Sequence, residues 1–509
     1  MPDSEKKILS LEALAKKAQE LKSQGKKVVL SHGIFDLIHN GHISHLKKAR
    51  CEGDVLMVTL IGDEYVNLGP DHPMFSEQLR AETLAALGCV DYIAINHSAT
   101  ATNVIEAIQP YGFVKGGEYK SIFDDPSGDL AEEKSALDAY GGLLKFTSDP
   151  NFDSPHLLND YLEIFSSEAR QFLRQFRETH SYIDIVSKLQ KFNNQKVLVI
   201  GDAIVDEYHY VAPLGQSGKG HHLAVKYDSV ERFAGGSLAV ANHIAGFAKE
   251  VTLVAGLGEN DGYADFVRGE LSERVNPNFI LTDQSPTVVK RRYVDFDMNK
   301  LFEVYFYNED PPSEDFEKQV CPWLEQHIAE YDLVVVPDFG NGFITKNMVE
   351  ILCDKARFLA VNTQINSGNR GYHVINRYSR ADFVSLNEPE IRLATHNRHD
   401  PLEPIMEKVA MNIQARWVAV TRGTKGAIIF DREDGRFTEV PSLSMKVVDR
   451  IGAGDTFLSL AGLCLADGLS AEIAAFVGSA AAALSVGTVC NRDPVDSVNM
   501  YNYITSLLK

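Results

Sequence analysis

The sequence predicts an α/β protein made of two successive domains, each a mostly parallel sheet covered by helices. Three observations predict it. Apolar β-rich runs alternate with amphipathic stretches from about residue 27 onward, the rhythm of strand, helix and parallel strand. The rhythm is interrupted around residues 156 to 194 by a charged stretch with apolar positions at mixed three- and four-residue spacing, which reads as helical. It then restarts at "KVLVIGDAIVDEYHY", where a buried-strand pattern ends in Gly201 and Asp202.

Within the first domain, "KKVVLSHGIF" is the opening strand candidate, "GHISHLKKARCEG" is amphipathic, and "VLMVTLIGD" is a second buried strand. The helical "SEQLRAETLAALGC" and the strands "VDYIAI" and "GFVKGG" follow, each assigned by its periodicity. In the second domain the strand candidates after Asp202 are "VTLVAGLG", "LVVVPDF", "RFLAVNT", "DFVSLN" and "WVAVTRG", with helical patterns between most of them. A chain of 509 residues exceeds one ordinary core, and domains at 1–160 and 195–509, joined by a helical linker at 161–194, fit the usual size range.

Composition narrows the function. Apolar and charged fractions of 44% and 24% are those of a folded, soluble chain. A formal charge of −20 argues against a general nucleic-acid binder, which needs a dominant basic surface. The six cysteines are scattered without a CxxC pair, which disfavours a zinc site or a disulfide framework and suits reduced thiols in a cytosol. The charged N-terminal stretch lacks the apolar core of a secretion signal, so a cytoplasmic location is expected. "IAAFVGSAAAALSVGTVC", residues 473–490, is dominated by Ala, Gly and Ser and reads as a tightly packed buried helix, not a membrane span.

Two strand-to-helix junctions carry chemistry. In "HGIFDLIHNGHISHLKKAR" a helix starting near Gly41 would aim backbone N–H groups over the end of the preceding strand, with His39 and His42 together at that positive end. Such a pair can donate hydrogen bonds to phosphate oxygens, and Gly41 permits close approach. A lone histidine there would more ordinarily cap the helix. With Gly33 and Asp36 assembled in order before it, the phosphate reading leads.

In "VVDRIGAGDTF", Gly452 and Gly454 let the backbone curl before a helix so that successive N–H groups converge on an anion. Asp455 at that helix start can accept a proton from an attacking hydroxyl. An aspartate after a glycine turn also serves as a plain N-cap, so this motif depends on its companions. They are Gly201, Asp202 and Asp206 after the first strand, "AGGSLAVAN" at 234–242, "NEPE" at 387–390 and "VTRGTKGA" at 420–427.

The first set, with "EQLRAETLAALGCVDYI" and "VKGGEYK", resembles the cytidylyltransferase-like nucleotidyltransferases over roughly residues 27 to 160. The second set, in its order, resembles the ribokinase-like (PfkB) carbohydrate kinases over about residues 195 to 509. Both halves are similar to the bifunctional heptose 7-phosphate kinase and heptose 1-phosphate adenylyltransferases, here with the transferase half first. The resemblance implies a Rossmann-like first domain and a ribokinase-like α/β/α second domain with a small β lid.

On the first domain, the resemblance implies that His39 and His42 hold a triphosphate, Gly33, Phe35 and Asp36 shape the strand-end pocket, and Arg80 adds positive charge. Lys115, Gly116 and Gly117 would line the nucleotide side. On the second, it makes Asp455 the general base and the amides of Ala453 and Gly454 the γ-phosphoryl cradle, with Gly452 shaping the turn. Asp206, Gly235, Gly236 and Asn242 would face the sugar, Asn387 and Glu390 would organise Mg²⁺ through waters, and Thr421 and Gly423 would lie near the nucleotide. Lys290 and Arg292 in "VVKRRYV" are candidates for a substrate phosphate, with an exposed charged strand as the alternative.

The activity implied is ATP-dependent phosphorylation of a sugar phosphate, D-glycero-D-manno-heptose 7-phosphate at C1, and nucleotidyl transfer to a sugar 1-phosphate to give ADP-heptose and pyrophosphate. ATP and Mg²⁺ are the implied cofactors, with CTP an alternative at the first site. The partners are small sugar phosphates and nucleotides, without nucleic acid or membrane, and a homodimer through the lid. Leu68 and His72 in "NLGPDHP", and Ser154, Pro155 and His156 near the first domain's end, replace phosphate-contacting residues of many relatives. Ala239 and Gln364 depart from the second pattern. Another sugar or polyol phosphate, and a non-catalytic first domain, therefore stand as alternatives.

Overall fold

A computed structural model describes residues 5–66, 72–116, 129–147, 165–282, 285–308, 314–369, 371–444 and 447–508. It divides into two compact units, Met1–Arg170 with Tyr501–Lys509, and Gln171–Met500.

The first unit is built on a parallel sheet of β1 (Val28–Gly33), β2 (Val55–Ile61), β3 (Tyr92–Asn96), β4 (Gly112–Lys115) and β5 (Leu143–Phe146) in the order β3-β2-β1-β4-β5. Both faces are covered, and the alternation of strand side chains divides the core. Val28, Leu30 and Met57 pack with Leu14, Val104 and Phe113 on one side, whereas Val29, Leu56 and Val58 pack with Leu46 and Leu84 on the other. Strand order reverses between β1 and β4, so their carboxyl ends flank the crevice where such sheets bind ligands. The residues at those carboxyl ends are His32 and Gly33 of β1 and Lys115 of β4.

The second unit contains β6 (Lys196–Ile200), β7 (Ala203–Gln216), β8 (Leu223–Gly236), β9 (Glu250–Gly258), β10 (Val275–Thr282), β11 (Val288–Val294), β12 (Lys300–Phe306), β13 (Leu333–Asp338), β14 (Leu359–Thr363), β15 (Phe383–Asn387), β16 (Trp417–Thr421), β17 (Ala427–Asp431) and β18 (Arg436–Val440). Nine strands form one sheet, β10-β9-β6-β13-β14-β15-β16-β17-β18, parallel as far as β16 and antiparallel beyond it. Its switch point lies between β6 and β13. The other four form the smaller sheet β12-β11-β7-β8, the lid expected from the resemblance.

Two charged or apolar stretches find their explanation in packing. The charged run near the unit boundary contains helices Ser167–Thr179 and Tyr182–Gln190; Phe172 and Phe176 stack on Phe476. The Ala-rich run forms helix Ala471–Ser485, whose residues are nearly all buried and which packs on β17, β18 and helix Ala453–Ala466. Small side chains there allow close approach. Among the described residues no helix is long and apolar enough to cross a membrane, and all six cysteines are unpaired thiols.

Candidate active sites

At the carboxyl end of β1 the chain turns at Phe35, whose φ is +52°, and enters helix Asn40–Cys51 through His39. The His39 Nδ1 accepts the N–H of Gly41 at 3.1 Å, so this histidine caps the helix. His42 stands one turn on, its ring centroid 4.1 Å from that of His39 and edge-on to Phe35. Its Nδ1 lies 3.1 Å from the Leu37 carbonyl, an acceptor only, which fixes the proton on Nδ1. Burial above all, together with the neighbouring His39 and His45, pushes its pKa down to about 3 against the Leu37 bond. His42 is therefore neutral at pH 7.

The other expected residues divide by what holds them. Asp36 accepts the N–H groups of Met74 and Phe75 at 2.8 and 3.0 Å and faces His72 Nδ1 at 3.3 Å, so it anchors the segment before helix Glu77–Ala85. Burial raises its pKa, but these bonds outweigh that and leave it lowered. Arg80 departs from the expectation of a phosphate contact. It is 1% exposed and donates to the carbonyls of Phe75, Ile34 and Ile61 and to Asp63, tying three chain segments from inside. Lys115 forms an ion pair with the buried Glu133. Gly33 lies against the Phe35 ring and Gly116 follows β4; Gly117, Leu68 and Ser154 to His156 lie outside the described residues.

Sequence reasoning passed over His32 and His45. His45 bridges Ser31 Oγ and Thr147 Oγ1, both at 2.9 Å, linking β1 to the end of β5. The 39, 42, 45 spacing on one helix face was the available signal. His32 meets Thr59 Oγ1 at 2.9 Å, its pKa is pushed down to about 3 by burial and the nearby Lys115, and its buried Nε2 has no hydrogen-bond partner among the described residues.

In the second unit the expected charged residues converge where the nine-stranded sheet meets the lid. The lid register places Lys290 of β11 beside Asp206 of β7 and Gly235 of β8 near the same carboxylate, where an added Cβ would fall 2.1 Å from Asp206 Oδ2. Gly236 has φ +60°, and a Cβ there would fall 2.5 Å from the Asp202 carbonyl. No side chain fits at either position. Arg292, a candidate phosphate ligand, is instead spent internally: it pairs with Asp206 and donates to Glu303 at 3.0 Å. Asn242 likewise points elsewhere, its amide donating to the Glu270 carbonyl and accepting from the Ser272 N–H, both at 2.9 Å.

Lys290 and Asp455 differ from these. Lys290 is 7% exposed and its Nζ sits 5.2 Å above the Phe339 ring, without a hydrogen bond or ion pair among the described residues. Burial pulls its pKa down, opposed by Asp206, Asp202 and Asp455. Asp455 occupies the first turn of helix Ala453–Ala466; its half-buried carboxylate accepts no hydrogen bond among the described residues. Its pKa is pushed up to about 7 by burial, with Lys290 opposing and Asp206 and Glu390 adding negative charge. An acid and a base, each without a fixed partner, thus share one field.

Before that helix, Gly452 has φ +88°, and a Cβ would fall 2.0 Å from Asn491 Oδ1. This conformation leads the chain into the helix start, where the first backbone N–H groups have no intrahelical partner. Asn387 and Glu390 form a reciprocal helix cap: Glu390 N–H donates to Asn387 Oδ1, and Asn387 N–H to Glu390 Oε2, both at 2.8 Å. Glu390 also accepts the Ile365 N–H, and burial pushes its pKa up to about 7 against these bonds. Thr421 pairs across the strands with Asn387, and Gly423, at φ +60°, opens the next turn. Asp202 accepts the N–H groups of Phe339, Asn341 and Phe343 and thereby holds the loop after β13. Among the described residues no group of three His, Cys, Asp or Glu side chains could cage a metal ion.

Comparison with known proteins agrees with this division. The cytidylyltransferase-like pattern matches residues 30–139 and the pfkB family carbohydrate kinase pattern matches 194–497. A protein named "bifunctional protein HldE" from Geotalea uraniireducens is 39% identical over 149 residues, 29% of each chain. Another of that name from Actinobacillus pleuropneumoniae is 29% identical over 302 residues, 58% of this chain and 61% of that one. The chain thus spans less than two thirds of the curated relatives it matches. A ribokinase from Thermotoga maritima shares the fold, with 19% identity and a TM-score of 0.50 over 60% of this chain and 98% of that one. With its match covering well over half of the sequence, this chain belongs to the pfkB family of carbohydrate kinases and carries a cytidylyltransferase-like domain ahead of the kinase.

Proposed function

We propose that this chain is a bifunctional sugar-activating enzyme, a kinase acting on a sugar phosphate and a nucleotidyltransferase acting on a sugar 1-phosphate. The carrying observation is the half-buried carboxylate of Asp455, held near pKa 7 at a helix N-terminus beside the ammonium of Lys290. In the kinase step Asp455 takes the proton of the sugar hydroxyl, whose oxygen bonds to the γ-phosphorus of ATP as the bond to the β-phosphate oxygen breaks and ADP leaves. The N–H groups of Ala453 and Gly454 meet the charge on the moving phosphoryl group, and Lys290 balances the acceptor's own phosphate. Mg²⁺ arrives on the nucleotide as part of the substrate; Glu390, whose oxygens keep lone pairs beyond their backbone bonds, is the residue suited to its waters.

In the transferase step an oxygen of the sugar 1-phosphate bonds to the α-phosphorus and pyrophosphate leaves, with His39 and His42 at the triphosphate. D-glycero-D-manno-heptose 7-phosphate and 1-phosphate, with ATP at both sites, are the substrates favoured by the resemblance, and Asp206, Gly235 and Gly236 shape the sugar side. A homodimer through the lid belongs to the same reading.

Phosphorus NMR of the full chain with Mg²⁺, ATP and heptose 7-phosphate, then with heptose 1-phosphate and ATP or CTP, tests it. A new anomeric phosphate in the first tube and pyrophosphate with a nucleotide sugar in the second are expected. Absence of the first defeats heptose 7-phosphate as the acceptor of the kinase. A second reading, a first domain that binds nucleotide without turnover, is favoured by the internal placement of Arg80 and the pairing of Lys115 with Glu133; nucleotide binding without pyrophosphate release selects it.

A further inference from the structure

His243 takes no part in the chemistry above, yet it stands directly behind the proposed phosphoryl cradle. It lies on helix Ser237–Ala245, 1% exposed, and that helix packs against helix Ala453–Ala466. Its Nδ1 receives the N–H of Val495 at 3.0 Å. A backbone N–H can only donate, so Nδ1 bears the lone pair and the neutral ring carries its proton on Nε2. Nε2 is 3.2 Å from Thr456 Oγ1 and must donate to it. The Thr456 hydroxyl, its acceptor side so occupied, donates to the Gly452 carbonyl at 3.0 Å, which also receives the Thr456 N–H at 2.9 Å.

The direction of every proton in this chain is thus fixed, from Val495 through His243 and Thr456 to Gly452. The Gly452 carbonyl and the Ala453 N–H belong to one rigid peptide plane. Holding the carbonyl aims the amide, and Gly452 at φ +88° relies on this fixing because glycine itself prefers no single conformation.

We propose that His243 is a positioning residue for phosphoryl transfer, which acts through Thr456 to orient the Gly452–Ala453 peptide. The proposal rests on the kinase reading of Asp455. A histidine buried only for packing would give the same burial but would not require one tautomer or a hydroxyl at 456.

The test compares His243→Asn, which keeps an acceptor for Val495 but reaches Thr456 no longer, with Thr456→Val, Thr456→Ser and the double variant His243→Asn/Thr456→Val. Steady-state kinase rates with heptose 7-phosphate and ATP are expected to show kcat falling about 10- to 100-fold in the first two, as a misplacement near 1 Å does, with both KM values nearly unchanged. Thr456→Ser should restore kcat, and the double variant should be no worse than either single one, since both break the same chain. Should the wild-type protein lack kinase activity, the kinase reading fails, and two other measurements still decide the relay. Nitrogen NMR of His243 should show the proton on Nε2, and amide exchange at 453–455 should quicken at least about tenfold in His243→Asn and Thr456→Val but not in Thr456→Ser. Unchanged kcat in the folded variants, multiplying effects in the double one, a proton on Nδ1, or unchanged exchange would overturn the proposal.

Discussion

Asp455 answers to two opposed demands. As the proposed base it must be ionised, but its surroundings favour the protonated form and hold its pKa near 7. The kinase kcat/KM is therefore expected to rise with pH through about 7 and level off above it. Stability runs the other way: a carboxyl whose pKa is raised on folding stabilises the protein fully below its unfolded value of 3.8, and that contribution is lost as pH rises through 7. Asp455→Asn should cost about 10³-fold or more in turnover, by analogy with removing a triad member, while melting at a higher temperature than wild type at pH 8. A melting curve series should show this advantage shrinking toward pH 4. In the first unit, His42 is neutral when no ligand is bound, and a triphosphate would favour its protonated form. Nucleotide binding at that site should take up a proton and tighten as pH falls from 8 to 6; calorimetry in buffers of different ionisation heat checks it, and His42→Ala should abolish the uptake.

At the scale of elements, what matters is how strand ends are held. Arg80 ties the segments at Ile34, Ile61 and Phe75 from inside the first unit. Replacing it with Met leaves three carbonyls without their donor, each worth about 1 to 3 kcal/mol when buried. The expected result is a marked fall in the melting temperature of that unit, which Arg80→Lys does not repair because one ammonium cannot span three divergent acceptors. In the lid, a methyl at Gly235 would fall on Asp206 Oδ2, so Gly235→Ala should separate the Asp206–Arg292 pair and raise the sugar-phosphate KM about tenfold or more. An unchanged KM would show that β7 and β8 can part without disturbing the pair.

For the molecule as a whole, every charged side chain assigned to the transferase step lies in residues 1–170 and every one assigned to the kinase step in 171–500. The two activities should then be separable by mutation. Asp455→Asn is expected to leave pyrophosphate release unchanged, and His42→Ala to leave ADP release unchanged, in assays on the full chain. A loss of both activities from either substitution would contradict this independence.

The sequence by itself determined the fold class, the parallel core of both domains and the strand-to-helix junctions proposed here to carry chemistry, because periodicity, glycine turns and helix starts are local properties of the chain. "HNGH" and "GAGD" were legible for that reason, and the buried helix at 471–485 could be told from a membrane span by its small residues. Only the tertiary structure decided which charged side chains remain available to a ligand. Arg80, Arg292 and Lys290 are all basic letters; the first two are neutralised by carbonyls and carboxylates brought from distant segments, whereas Lys290 meets aromatic rings and has no ion pair among the described residues. Likewise Asn242 was drawn away by the loop at Glu270 to Ser272, and His243, one position later, was turned toward Thr456. Pairing depends on approach in space between residues tens to hundreds of positions apart, and spacing along the chain does not encode it.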